Sequence, residues 1–64
     1  MFVVEITDIE TKETRYVDSQ LHIKKEMTDL CKFDDFEDAS NVRLSFIAEN
    51  PGCENFWVLE VVQY

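Results

Sequence analysis

The 64 residues predict one α+β domain, read in the order β-β-α-β-β, with a mainly antiparallel four-stranded sheet and one helix packed on one face. Three observations carry this. The first segment is β-branched and alternates and the last is apolar on both faces, an amphipathic stripe lies between them, and turn chemistry separates the segments. The chain is too short for more than one domain, so residues 1–64 are taken as a single small acidic unit.

Residues 2–9 read as a strand, with Phe2, Val4 and Ile6 on one face. Glu10 to Glu13 are polar and form a turn, and residues 14–18 return as the second arm of a hairpin. Over residues 20–32, Ile23, Met27, Leu30 and Cys31 fall at i, i+4, i+7 and i+8, which predicts a helix with Asp18 or Ser19 as its cap. A competing alternation through Val17, Ser19, Leu21 and Ile23 would extend the preceding strand and delay that helix. Residues 33–41 form an acidic connection, pinned to the core by Phe33 or Phe36, with room for a short helical turn.

Residues 42–49 alternate, placing Val42, Leu44, Phe46 and Ala48 on one face, and predict a third strand. Asn50-Pro51-Gly52-Cys53 has Pro and Gly at the two central positions of a type II turn. Residues 56–63 are apolar on both faces, as in a central strand, and Phe56, Trp57 and Tyr64 are expected in the core. The helix covers one sheet face. The other is expected to be partly solvated and to carry apolar residues drawn from Val3, Ile9, Ile47 and Trp57.

Signals for catalysis are missing. A single Gly leaves no phosphate-cradling loop and no dinucleotide fingerprint. A chain this short has little room for a water-excluding pocket, so the reading is no enzyme and no cofactor. His22, Cys31 and Cys53 are the only metal- or thiol-type ligands besides carboxylates, without Cys-x-x-Cys or His-x-x-x-His spacing. A small metal or thiol protein built on these three residues is one alternative; two reduced, buried thiols and no metal is the expectation. The first ten residues lack a basic region and are interrupted by acids, and no apolar run approaches a bilayer's thickness. A cytoplasmic protein without membrane association is therefore expected.

Charge stands above background. Fourteen acids face six bases, for a net charge of −8, which disfavours direct nucleic-acid binding and favours a protein partner with a basic surface. Residues 20–32 hold Lys24, Lys25 and Lys32 against Glu26 and Asp29, a net +1, which leaves −9 on the remainder. Asp34, Asp35, Glu37 and Asp38 are the densest acids and the principal candidates for partner contact, with Glu10, Glu13 and Glu54 as lesser ones. Carboxylates held on a rigid domain can stand in for a phosphate backbone before a cationic groove. In size, acidity and lack of a catalytic signature the chain looks like the small inhibitors of bacteriophages and mobile elements, such as anti-restriction and anti-CRISPR proteins. That likeness is compositional and would place it in a host cytoplasm. The other alternative is an assembly module that forms a homodimer, or docks on a larger complex, through its open sheet face or an edge strand.

Overall fold

The computed structural model describes all of residues 1–64. Its strands are β1 (Phe2–Asp8), β2 (Thr14–Val17), β3 (Ile23–Lys24) and β4 (Trp57–Gln63), with one helix, α1 (Phe36–Glu49), before β4. The sheet is four-stranded and antiparallel in the order β3-β2-β1-β4, and α1 packs on one face, so the α+β class and its single helix layer hold. The order along the chain is β-β-β-α-β, however. The helix occupies 36–49 and not 20–32, and the strand expected at 42–49 is part of it.

The reason is local. Asp35 precedes the helix in an extended conformation, and Glu37 and Asp38 lie in the first turn, where carboxylates complement the exposed N–H groups. Ala39, Val42 and Phe46, at i, i+3 and i+7, turn inward, whereas Leu44 and Ala48 face solvent. The alternation through 42, 44, 46 and 48 mixes two core residues, Val42 and Phe46, with two surface ones, Leu44 and Ala48. The far end closes with Asn50, whose N–H and Nδ2 both donate to the Phe46 carbonyl. Pro51 and Gly52 then turn the chain as expected. Gly52 has φ 83° and ψ 0°, and the Cys53 N–H donates to the Asn50 carbonyl at 3.0 Å.

Residues 20–32 form no α-helix, only a 3-10 turn at Asp29–Cys31, because Asp18, one of the two expected caps, is used for a tighter reversal. Its Oδ1 accepts the N–H groups of Gln20 and His22, both at 2.9 Å, and Leu21 sits in the left-handed region at φ 63°. The chain then re-pairs with β2 for two residues, Ile23 against Val17 and Lys24 against Tyr16. The alternation through Val17, Ser19, Leu21 and Ile23 therefore does not extend the preceding strand: β2 ends at Val17, and Ile23 returns antiparallel to it. Of the expected stripe only Cys31 is buried; Ile23 and Leu30 are exposed.

The hairpin forms as read. β1 and β2 pair from Val4–Val17 to Thr7–Thr14, and the Asp8 carboxylate organises the turn by accepting the N–H groups of Glu10 and Thr11. Those two hydrogen bonds hold the Asp8 carboxyl below the ordinary aspartate value of 3.8. A carboxyl with a lowered folded value favours folding above its unfolded value, and the benefit is lost as pH falls through the folded one. In a carbon-detected NMR titration Asp8 should therefore ionise below the ordinary aspartate value of 3.8, and the turn amides of Thr11 and Glu10 should shift with it. Titration of Asp8 at or above that ordinary value would remove the cap.

The core lies between the sheet and α1. Val4, Ile6, Val17, Phe33, Ala39, Phe46, Cys53 and Leu59 are buried together, with Phe2, Leu21, Val42, Ile47, Trp57 and Val61 packed around them. Phe33 is the buried pin. It bridges Phe2 through two backbone hydrogen bonds of 2.8 Å, while Phe36 meets the Phe2 ring edge-on at 5.8 Å. The expectations for the open face are corrected in part. Val3 lies on it but is buried, Ile47 belongs to the helix, and Trp57 belongs to the helix-side face. Ile9 lies past the end of β1, and Phe56 and Tyr64 are exposed and not core. No helix is long and apolar enough to cross a membrane.

Candidate partner-binding surface

The seven acids singled out by the charge pattern do not form one patch. Asp34, Asp35, Glu37 and Asp38 gather where α1 begins, next to Phe33 and Phe36, both of which contact Phe2 at the start of β1. Glu10 and Glu13 lie in the turn after β1, and Glu54 lies in the short 3-10 turn at Cys53–Asn55, before Trp57 pairs with Asp8. The two groups therefore sit at opposite ends of β1, whose seven residues span about 20 Å at roughly 3.4 Å per residue.

All seven acids are exposed. Glu13 is paired with Arg15 at 3.4 Å, and the only other ion pair joins Lys32 to Asp29 at 3.7 Å. The acids at 34–38 thus have no intramolecular cation. Asp35, Glu37 and Asp38 do have a structural use, because the helix N-terminus favours each nearby carboxylate by about 0.3–1 kcal/mol. Asp34 lies outside the helix and has no such use.

At the second acidic end, the part of the sheet beyond α1 forms a cleft of 180 Å³ lined by Ile6, Asp8, Glu13, Arg15, Ile23 and Trp57. Beside it, Ile9 and Phe56 form an exposed apolar step joined by the Ile9 N–H to the Phe56 carbonyl at 2.9 Å. The polar groups of this cleft already serve one another. Asp8 holds the turn by accepting the N–H groups of Glu10 and Thr11, and Arg15 pairs with Glu13.

The three residues of the metal or thiol alternative are dispersed. Cys31 and Cys53 are both free and buried, but Cys31 lies beside Phe33 at one end of β1 and Cys53 precedes Trp57 at the other. His22 is exposed on the 18–22 reversal. No group of three or more His, Cys, Asp or Glu side chains is placed to hold a metal ion.

Two features escaped the charge pattern. Glu5 and Glu60 are directly opposite on β1 and β4, on the face away from the helix. Also, β4 is an edge strand, although it is apolar on both faces in the manner of a central one. The central position expected for residues 56–63 is therefore corrected: β4 pairs with β1 on one side only. No family model, curated protein or solved structure matches the chain, so fold and surface together define its class no further than an acidic α+β domain with an open sheet edge.

Proposed function

We propose that the protein is a small acidic protein-binding module that docks on the basic surface of a nucleic-acid-handling protein and blocks it stoichiometrically. The observation that carries this reading is the set of four exposed carboxylates at 34–38, fixed at the start of α1 with no internal counter-charge. The core aromatics Phe33 and Phe2 anchor this end, so its charges are pre-ordered and lose little freedom on binding. The second acidic group, at the other end of β1, extends the negative field along the domain. Such a field speeds encounter with a cationic groove and is weakened by salt.

The test is capture of partners from the native host's lysate at low and at high salt, followed by the same capture with Asp34→Asn, Asp35→Asn, Glu37→Gln and Asp38→Asn combined. One nucleic-acid-handling partner is expected, released as salt rises. The combined variant should bind it at least tenfold more weakly and with a shallower salt dependence. Circular dichroism on the variant controls for the helix, which loses part of its favourable N-terminal charge. A partner held equally at high salt, or equally by the folded variant, would sink the reading.

A further inference from the structure

The edge of β4 carries an interaction surface whose occupant can be specified. In the antiparallel β1·β4 ladder the register pairs Val3 with Val62, Glu5 with Glu60 and Thr7 with Val58. Met1–Tyr64 and Ile9–Phe56 are hydrogen-bonded across the same ladder, which fixes the alternation. Val58, Glu60 and Val62 therefore direct their backbone groups to β1. Trp57, Leu59, Val61 and Gln63 direct theirs outward, to a side where the sheet has no further strand. Of these outward groups only the Leu59 carbonyl is engaged, by Arg43 Nε at 2.9 Å. A seven-residue strand with an open ladder is a template for another strand, and natural edges are usually blunted by bulges, prolines or charges. Here the blunting is limited to Arg43 and Glu60.

The space beside this edge is already shaped. A groove of 340 Å³ runs between α1 and β4, lined by Phe36, Ser40, Arg43, Leu59, Glu60 and Val61. Phe36, Ser40 and Arg43 fall at i, i+4 and i+7, one stripe of the helix looking over the edge. On the opposite face, Glu60 already has Glu5 as its cross-strand neighbour, with Cβ atoms about 4.5–5.5 Å apart, an arrangement that costs stability. The neighbour missing on the other side of Glu60 is a cation.

We propose that β4 accepts an extended segment of a partner protein as a fifth strand, and that this segment alternates apolar with basic residues. Side chains opposite Leu59 and Val61 share the helix-side face and enter the groove as apolar groups. Those opposite Glu60 lie on the other face, where Lys or Arg relieves the Glu5–Glu60 pair. Main-chain pairing supplies affinity and the alternate side chains supply specificity. A second copy of this chain fits less well, because each copy carries a net charge of −8. The basic character of the segment rests on the reading above of a cationic partner; the strand pairing does not.

The probes are capped eight-residue peptides added to isotope-labelled protein and followed by amide NMR. The first alternates valine with lysine. The second has the same side chains but is N-methylated at the alternate amides that would face β4, and the third replaces lysine with threonine. The first peptide should saturate, shift the amides of Trp57, Leu59, Val61 and Gln63, and slow their hydrogen exchange at least tenfold. The second should bind at least tenfold more weakly, as should the first to Val61→Pro. That substitution removes an outward N–H and leaves the β1 ladder intact. Equal binding of the methylated peptide would overturn strand pairing while leaving an electrostatic partner in place. Equal binding of the threonine peptide would overturn the basic alternation while leaving strand pairing in place. A dimer in sedimentation, with the same four amides protected before any peptide is added, would overturn the proposal in favour of a second copy.

Discussion

Phe46→Ala is expected to leave the protein largely unfolded at room temperature. Phe46 is 3% exposed and sits among Val4, Ile6, Ala39 and Leu59 between the helix and the sheet. Truncating a buried Phe to Ala costs about 3–5 kcal/mol. A chain of 64 residues has only about 3–10 kcal/mol of total stability, at 0.05–0.15 kcal/mol per residue. A domain this small cannot spread the loss over a second core. Leu44→Ala, two residues earlier, should change stability by no more than about 0.5 kcal/mol, because a surface substitution away from special features rarely does more. Leu44 is 54% exposed on the outer side of α1. Urea unfolding followed by far-UV circular dichroism and Trp57 fluorescence would separate the two. The contrast also tests the element itself, since a strand over 42–49 would put both side chains on one face. Equal costs at the two positions would therefore return the segment to a strand.

That segment shows where the sequence was legible and where it was not. The hairpin of β1 and β2 could be read because β-branched residues alternate on both sides of a polar turn, and no helical period competes with them. The Pro51-Gly52 reversal could be read because a positive φ at the second central position selects Gly. Residues 42–49 satisfy both periods over a short window, and the deciding signal lay upstream: Asp35, Glu37 and Asp38 are an acidic helix start directly before Ala39, which Val42 joins three residues on. Read only as a candidate surface, those acids hid the element they begin. Residues 20–32 carry helix-forming residues and an apolar stripe, but a helix of that length is marginal without packing. The expected cap Asp18 is spent on a turn, and of the stripe only Cys31 is buried, beside the Phe33 bridge. The candidate surface was legible as charge and not as geometry. Nothing local tells that Asp34 and Glu54 lie at opposite ends of one strand, because long-range pairing of Phe33 with Phe2 and of Trp57 with Asp8 sets that separation.

Asp18→Ala is expected to cost about 2–4 kcal/mol, since each hydrogen bond to a carboxylate is worth about 1.5–3 kcal/mol and its loss strands two donors in a part-buried loop. Asp18 is fully buried, and its Oδ1 accepts from Gln20 and His22, while its own N–H donates to the His22 carbonyl at 3.0 Å. This knot turns the chain back so that Ile23 and Lys24 can pair with β2, and the Ser19 N–H ties the same loop to the Leu30 carbonyl at 2.9 Å. Losing it should free β3 from the sheet and raise hydrogen exchange at Gln20, His22 and Lys24 before the β1·β4 ladder responds. Asp18→Asn distinguishes the two carboxyl oxygens. It keeps an oxygen at the accepting position, removes the charge that strengthens the two hydrogen bonds, and places an NH2 at the Oδ2 site, which has no hydrogen-bond partner. Its cost should stay well below that of Asp18→Ala, with Gln20 and His22 still protected. Because the loop lies on the β3 side of the sheet and the free edge on the β4 side, Asp18→Asn should also leave peptide pairing at β4 unchanged. If the Asn variant were as damaged as the Ala variant, Oδ2 would be holding the loop as well, and the knot would depend on both oxygens rather than on the single acceptor.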